Sequence, residues 1–195
     1  MSRITEARNP AAPDSVLWQG HRPRMASAAL AFSQAVYQES TLSLREAEAA
    51  RYRIAVLVGC QVCQGFRVAD GLEELLARLG NDEAANLAAR GEAPGADFYA
   101  AVADWRTTGL LAPRERLAAE YAERLDQTPH DLPHDEDFWA RIKAQFDDGE
   151  VVDLTYSITA WIATARFVHG LGLDGTCAMA PQAARQCEGA IDVSQ

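Results

Sequence analysis

The sequence is short of positive charge and of long apolar runs. Its 18 lysine and arginine residues face 28 acidic residues, which gives a formal net charge of −10. Such a chain is repelled by nucleic acid and by anionic membrane surfaces. The apolar run at residues 54–58 is far shorter than the roughly 20 residues that a membrane-spanning helix needs. We therefore expect neither a nucleic acid nor a membrane among its partners.

Cysteine is also scarce, and the opening residues contain no apolar segment of the kind that directs export. We therefore expect a cytoplasmic protein, whose reducing surroundings disfavour permanent disulfides. The four cysteines, Cys60, Cys63, Cys177 and Cys187, are then predicted to be reactive or metal-binding thiols rather than structural cross-links.

The pattern of apolar residues predicts an all-α protein. No segment shows the sustained alternation, with β-branched and aromatic enrichment, that is typical of strands. Helical spacing and capping signals predict about six to eight helices, near residues 25–37, 44–58, 61–79, 81–90, 97–105, 113–125, 135–146 and 149–168. The length fits one domain over residues 21–173, with an N-terminal arm at 1–20 and a flexible C-terminal tail at 174–195.

The most informative motif is Cys60-Gln-Val-Cys63, which follows an apolar helix and Gly59. Two cysteines at this spacing either close a disulfide across one helical turn or share a metal, and in a cytoplasmic chain the disulfide indicates redox chemistry. The first turn of the third helix, with Arg67 one turn further on, should lower the pKa of Cys63. Cys60 could then resolve a sulfenic acid on Cys63. The alternatives are a chance pair in a helical core and a zinc site, although the remaining cysteines match no usual zinc spacing.

Glu48 and Tyr52 are four residues apart and share one face of the preceding helix. If that face points inward, Glu48 is a buried carboxylate that could accept a proton from the thiols. If the face points outward, Glu48 is a solvated acid of the first turn. The sequence alone leaves both possibilities open.

The arrangement of Glu48, eleven residues, Cys60, two residues and Cys63 resembles the core of the carboxymuconolactone decarboxylase-like superfamily, in its AhpD-like alkylhydroperoxidase and peroxidase-related branch. Residues 21–23, 42–48, 135–138 and 161–166 look similar to that group as well, so the resemblance covers roughly residues 15–175. It implies an AhpD-like helical bundle that assembles as a homo-oligomer, a trimer or a hexamer.

The resemblance also implies a thiol-dependent hydroperoxide reductase, an antioxidant oxidoreductase. Carried over by position, Cys63 would become the sulfenic acid, Cys60 would donate a proton and then close the redox disulfide, and Glu48 would belong to the proton relay. A small hydroperoxide would be the substrate, and a thiol or lipoyl-bearing protein would be the reductant. No metal and no organic cofactor is implied.

One departure from the family pattern concerns Arg67, which stands where the family has a histidine. Arginine does not lose its proton in proteins, so it cannot pass one from Cys63 to Glu48, although it can still hold a thiolate by charge. Either water, Tyr52 or His169 replaces the shuttle, or the peroxidase is weakened. In the second case the protein would serve in thiol–disulfide exchange or as a non-catalytic helical oligomer.

Two further expectations concern the partner of Arg166 and the possibility of a decarboxylase activity. Arg166 is expected to pair with an acid such as Asp153 or Glu48. A lactone decarboxylase like the founding members of the superfamily is disfavoured, because those members generally lack the cysteine pair.

Overall fold

The computed structural model describes residues 2–5, 7, 19–68 and 89–173. These residues form seven α-helices and no strand, which confirms the all-α prediction: α1 Pro23–Gln38, α2 Leu44–Leu57, α3 Gln61–Gly65, α4 Ala96–Ala103, α5 Pro113–Gln127, α6 Glu136–Lys143 and α7 Asp148–Gly170. Two 3₁₀ turns, Gln19–His21 and Leu132–His134, complete the described elements. Most of the predicted arm and of the helix at 81–90, and all of the tail with Cys177 and Cys187, lie outside the described residues.

The starts of the long helices follow their capping signals. Before α2, the Ser43 hydroxyl accepts the Glu46 N–H at 3.2 Å, and the Glu46 carboxylate accepts the Ser43 N–H at 3.0 Å. Asp147 and Glu150 form the same reciprocal pair before α7, at 2.8 and 2.9 Å. Each pair satisfies two main-chain N–H groups that the first helical turn leaves free. The structure thus confirms the helix start that the capping signals predict near residue 44.

Helices α2 and α5 run side by side in the same direction. Arg45 near the start of α2 pairs with Glu115 near the start of α5 at 2.5 Å, and Arg53 pairs with Glu123 two turns further along both helices at 2.7 Å. Alanines that are fully buried let the two backbones approach closely, namely Ala49, Ala50, Ala118, Ala119 and Ala122.

Helix α7 runs parallel to α5 on another side. Arg114 at the start of α5 pairs with Glu150 at the start of α7 at 2.6 Å, and Asp126 near the end of α5 pairs with Arg166 at 2.7 Å. The N-termini of α2, α5 and α7 therefore meet at one end of the bundle. Within the described ranges, no helix combines the length and the apolar character of a membrane span.

The pairing of Arg166 corrects an expectation. The sequence suggests Asp153 or Glu48 as its partner, whereas the structure places Asp126 there. Asp153 lies thirteen residues earlier on the same helix, about 20 Å along the axis, and its carboxylate accepts the Thr41 N–H at 2.7 Å. Glu48 is engaged by another arginine.

Helices α1 and α7 share an apolar face. A cavity of about 490 Å³ lies between them beside the N-terminal residues, lined among others by Met25, Phe32 and Phe167. Tyr156 packs edge-on against Phe32, with ring centroids 6.2 Å apart. Among the described residues, six large apolar side chains are exposed, and five of them belong to these two helices. The five are Met25, Phe32, Val152, Tyr156 and Phe167.

Candidate active site

The cysteine pair lies where α2 gives way to α3. Gly59 ends α2 with a φ of +67°, a left-handed conformation that a residue with a side chain adopts only under strain. The chain turns there, and α3 begins directly after Cys60. Cys60 and Cys63 are joined as a disulfide with their Cα atoms 5.2 Å apart. The structure therefore brings together the two residues that the redox prediction requires to meet.

The two sulfurs differ in their surroundings. Cys60 is only 4% exposed, whereas Cys63 is partly exposed. The Cys63 N–H donates to the Cys60 sulfur at 3.2 Å, so the sulfur takes the position of an N-terminal cap on α3. The sequence predicts that the start of this helix acts on Cys63, but the hydrogen bond is made to Cys60. Cys63 is the more accessible of the two for a substrate.

Arg51 connects the cysteine turn to α2. Its guanidinium grips the Glu48 carboxylate through Nε at 2.5 Å and Nη2 at 2.9 Å. It also donates to two main-chain carbonyl oxygens at 2.8 Å each, from Nη1 to Cys63 and from Nη2 to Phe66. Burial disfavours the charge of Arg51, but the Glu48 carboxylate outweighs that effect and raises the pKa of Arg51 above its ordinary value. The side chain is therefore a fixed cation with four hydrogen bonds.

Glu48 points inward, which decides between the two possibilities that the sequence leaves open. It is 2% exposed, and besides Arg51 it accepts a hydrogen bond from the Tyr99 hydroxyl at 2.8 Å. A buried carboxylate is tolerated when it is paired and hydrogen-bonded, and both conditions hold here. Glu48 is thus linked to the cysteine pair through Arg51 and the Cys63 carbonyl.

The end of α3 corrects the predicted helix at 61–79. The helix stops at Gly65, Phe66 and Arg67 are not helical, and Val68 is helical again; residues 69–79 lie outside the description. In a continuous helix the Cys63 carbonyl would accept the N–H of residue 67. Here the guanidinium of Arg51 occupies that carbonyl instead, together with the carbonyl of Phe66. The Arg51 side chain thus supplies hydrogen bonds to carbonyl groups that main-chain N–H groups would bind if α3 continued.

The remaining predicted site residues fall in two places. The guanidinium of Arg67 lies over the Tyr99 ring, 4.8 Å from its centroid, and Tyr52 packs edge-on against the same ring at 5.0 Å. Both therefore contact the ring of the tyrosine whose hydroxyl donates to Glu48. His169 is exposed on the last turn of α7.

Sequence reasoning missed two residues of this site, Arg51 and Tyr99. A signal for Arg51 exists, because it stands three residues after Glu48 and an opposite charge at that spacing on a helix commonly pairs. Tyr99 comes from α4, about fifty residues away, and carries no local signal. In the described part of the chain, no three His, Cys, Asp or Glu residues group as metal ligands would.

Comparisons with known proteins support the fold. No family model matches the chain. It is 40% identical over 83 residues to the uncharacterized protein YnjA of Escherichia coli strain K12, a match that spans 42% of this chain and 44% of YnjA. The chain thus aligns with less than half the length of that relative.

A solved structure matches over a longer range. It is a crystal structure of a protein of unknown function from Agrobacterium tumefaciens, described as a candidate antioxidant defence protein AhpD. The TM-score is 0.59 at 19% sequence identity, with 88% of this chain and 96% of that chain covered. At this identity the likeness concerns the fold alone, and it agrees with the fold that the sequence resemblance implies. The chain therefore has an AhpD-like all-α fold.

Proposed function

We propose that the protein is a thiol-dependent reductase of organic hydroperoxides that works through Cys63 and Cys60. The observation that supports this most is the disulfide-bonded pair at the start of α3, with a buried Cys60 and a partly exposed Cys63. The description of the Agrobacterium protein as a candidate antioxidant defence protein agrees with such a role.

The first chemical step oxidises Cys63. Its thiolate attacks one oxygen of the hydroperoxide, so that an S–O bond forms and the O–O bond breaks. The departing alkoxide takes the proton of the Cys60 thiol and leaves as an alcohol. Cys63 is then a sulfenic acid and Cys60 a thiolate. Glu48 stays a predicted member of the proton relay, and of the two side chains that donate to it, Arg51 and Tyr99, the tyrosine is the one that can give up its proton.

The second step closes the disulfide. The Cys60 thiolate attacks the Cys63 sulfur, an S–S bond forms, the S–O bond breaks, and hydroxide leaves as water with a proton from solvent. An external dithiol, free or lipoyl-bearing, then reduces the disulfide through a mixed disulfide. A reducing cytoplasm, which we propose as the location, would supply such thiols.

The test is consumption of an alkyl hydroperoxide with dithiothreitol as reductant, in a Cys177→Ser/Cys187→Ser background. We expect Cys63→Ser to lose at least about a hundredfold in rate, because it removes the nucleophile. Without dithiothreitol, pre-reduced Cys60→Ser should complete one turnover and leave a sulfenic acid on Cys63 that dimedone labels. Unchanged turnover in Cys63→Ser would contradict the proposal.

A second candidate function is thiol–disulfide exchange with weak peroxidase chemistry. The observation that favours it is Arg67, which stacks on Tyr99 and cannot shuttle a proton. If the missing shuttle limits the peroxide step, Arg67→His should raise its rate by at least about tenfold near neutral pH. An unchanged or lower rate would show that the shuttle is supplied elsewhere.

We also propose that the chain forms a homo-oligomer through the apolar face of α1 and α7. The concentration of exposed apolar side chains on these helices supports it, because scattered single residues need no partner but a contiguous patch does. We expect Phe32→Glu/Tyr156→Glu to reduce the mass measured by light scattering to that of a monomer. Leu110→Glu, at an exposed apolar residue elsewhere, is the matched control and should not. A monomeric wild type would contradict the proposal.

A further inference from the structure

The main chain of Cys63 is held from both sides. Its N–H donates to the Cys60 sulfur at 3.2 Å, and its carbonyl accepts from Arg51 at 2.8 Å. Arg51 is itself fixed, since its side chain is 6% exposed and two of its nitrogens bind Glu48. The flat guanidinium has donors on several edges and so can hold a carboxylate and two carbonyl groups at the same time.

We propose that Arg51 is a positioning residue for the cysteine pair. Paired with Glu48, it ends α3 by binding the carbonyls of Cys63 and Phe66, and so keeps the Cys63 sulfur within bonding reach of Cys60. The inference rests on the proposed thiol chemistry and names the residue that prepares Cys63 for disulfide closure. The Glu48–Arg51 ion pair would then position Cys63, in addition to the predicted role of Glu48 in the proton relay.

The property at stake is the effective concentration of one thiol for the other. In exchange with glutathione disulfide, the two protein thiols form one S–S bond, and two glutathione thiols with their two protons are released. The equilibrium constant of this exchange rises when the protein holds its two sulfurs in bonding geometry before the bond forms. It requires no hydroperoxide, so it measures positioning separately from peroxidase chemistry.

The experiment measures this equilibrium constant in glutathione buffers for the full chain in the Cys177→Ser/Cys187→Ser background. Arg51→Lys keeps the charge but loses the fork that reaches both carbonyls. Glu48→Gln/Arg51→Met removes both buried charges together, which avoids an unpaired ion and keeps the test valid if the lysine variant does not fold. We expect either variant to lower the constant at least about tenfold, which raises the potential by about 30 mV.

The matched control is Arg114→Lys. Arg114 also binds carboxylates and a main-chain carbonyl, but these belong to Glu46, Gln145 and Glu150 and not to the cysteine turn, so its replacement should leave the constant within about threefold of the wild type. A constant within threefold of wild type in either folded Arg51 variant would overturn the proposal. So would an equal fall in Arg114→Lys, since the effect would then be a general loosening. Absent hydroperoxide turnover in the wild type, with a lowered constant in the Arg51 variants, would refute the peroxidase function and leave this inference standing.

Discussion

Two arginines each bind a carboxylate of α2 and a main-chain carbonyl of another segment, but they differ in burial and in what they hold. Arg114 is 29% exposed and binds Glu46 and Glu150, the carboxylates that cap α2 and α7. Arg51 is 6% exposed, binds the single carboxylate Glu48 and holds the turn that carries the cysteines. The same chemical group thus fastens helices to each other in one case and a reactive segment to its helix in the other.

This difference explains why two similar ion pairs should respond differently to substitution. Contacts among helix starts contribute to the free energy of unfolding of the whole bundle. Contacts on a five-residue helix affect chiefly the segment they hold, because so short a helix has few main-chain hydrogen bonds of its own. We therefore expect the loss of Arg114 chiefly to lower stability and the loss of Arg51 chiefly to change thiol chemistry.

The largest expected effect concerns the contacts of Arg114, which join the starts of α2, α5 and α7. Arg114→Met leaves two partly buried carboxylates without their partner, and we expect a loss of about 2–3 kcal/mol in the free energy of unfolding. Urea denaturation of the oxidised protein measures it. Arg141→Met is the control, since Arg141 is 51% exposed and forms its ion pair with Glu120, and it should cost less than about 1 kcal/mol. A similar loss of unfolding free energy in both variants would show that burial does not decide how much these ion pairs contribute to stability.

A smaller effect concerns the loss of stability in acid. It separates the helix contacts from the cysteine pair, because the disulfide has no group that titrates. Burial would raise the pKa of Glu123, but hydrogen bonds from Arg106 and Trp105 and the charge of Arg53 lower it from an ordinary 4.5 to about 2. A carboxyl whose pKa is lowered in the folded state stabilises the fold above its unfolded pKa and loses that contribution as the pH falls through its folded pKa.

Glu123 should therefore contribute about 1–2 kcal/mol above pH 5, and this contribution should disappear between about pH 5 and pH 2. Unfolding measured across that range should show a shallower acid dependence for Glu123→Gln than for the wild type. Parallel curves for the two proteins would mean that the carboxylate is not held in this network.

The smallest effect concerns the cap of α2. Ser43→Ala removes the acceptor of the Glu46 N–H and should cost about 1 kcal/mol, whereas Ser43→Asp restores an acceptor and should cost little. Thermal unfolding of the three proteins is the measurement. Neither variant should change the glutathione equilibrium of the cysteine pair, and a tenfold change there would remove the distinction between the contacts of Arg114 and those of Arg51.

The parts of the fold that the sequence predicts are those that local chemistry decides. A serine followed three residues later by a glutamate starts α2, a glycine at positive φ ends it, and Pro113 opens α5. Each depends on neighbours within one helical turn, so a pattern in the sequence is enough to find it. The CxxC motif is local in the same sense.

The parts that escape prediction depend on distant side chains. The helix predicted to run through Arg67 stops early, because Arg51, twelve residues before Cys63, takes the carbonyl that would continue it. Arg166 finds its partner on α5 rather than on its own helix, and Tyr99 reaches the Glu48 carboxylate from α4. Nothing in the local pattern encodes these contacts, since they arise only when the helices pack.

The most direct measurement adds one equivalent of an alkyl hydroperoxide to the reduced Cys177→Ser/Cys187→Ser protein and follows its intact mass. The account predicts the loss of two hydrogen atoms per chain, with digestion placing the change in a peptide that links Cys60 to Cys63. Two thiols that remain free after the peroxide has been offered, or oxygen added to Cys63 without a disulfide, would contradict it.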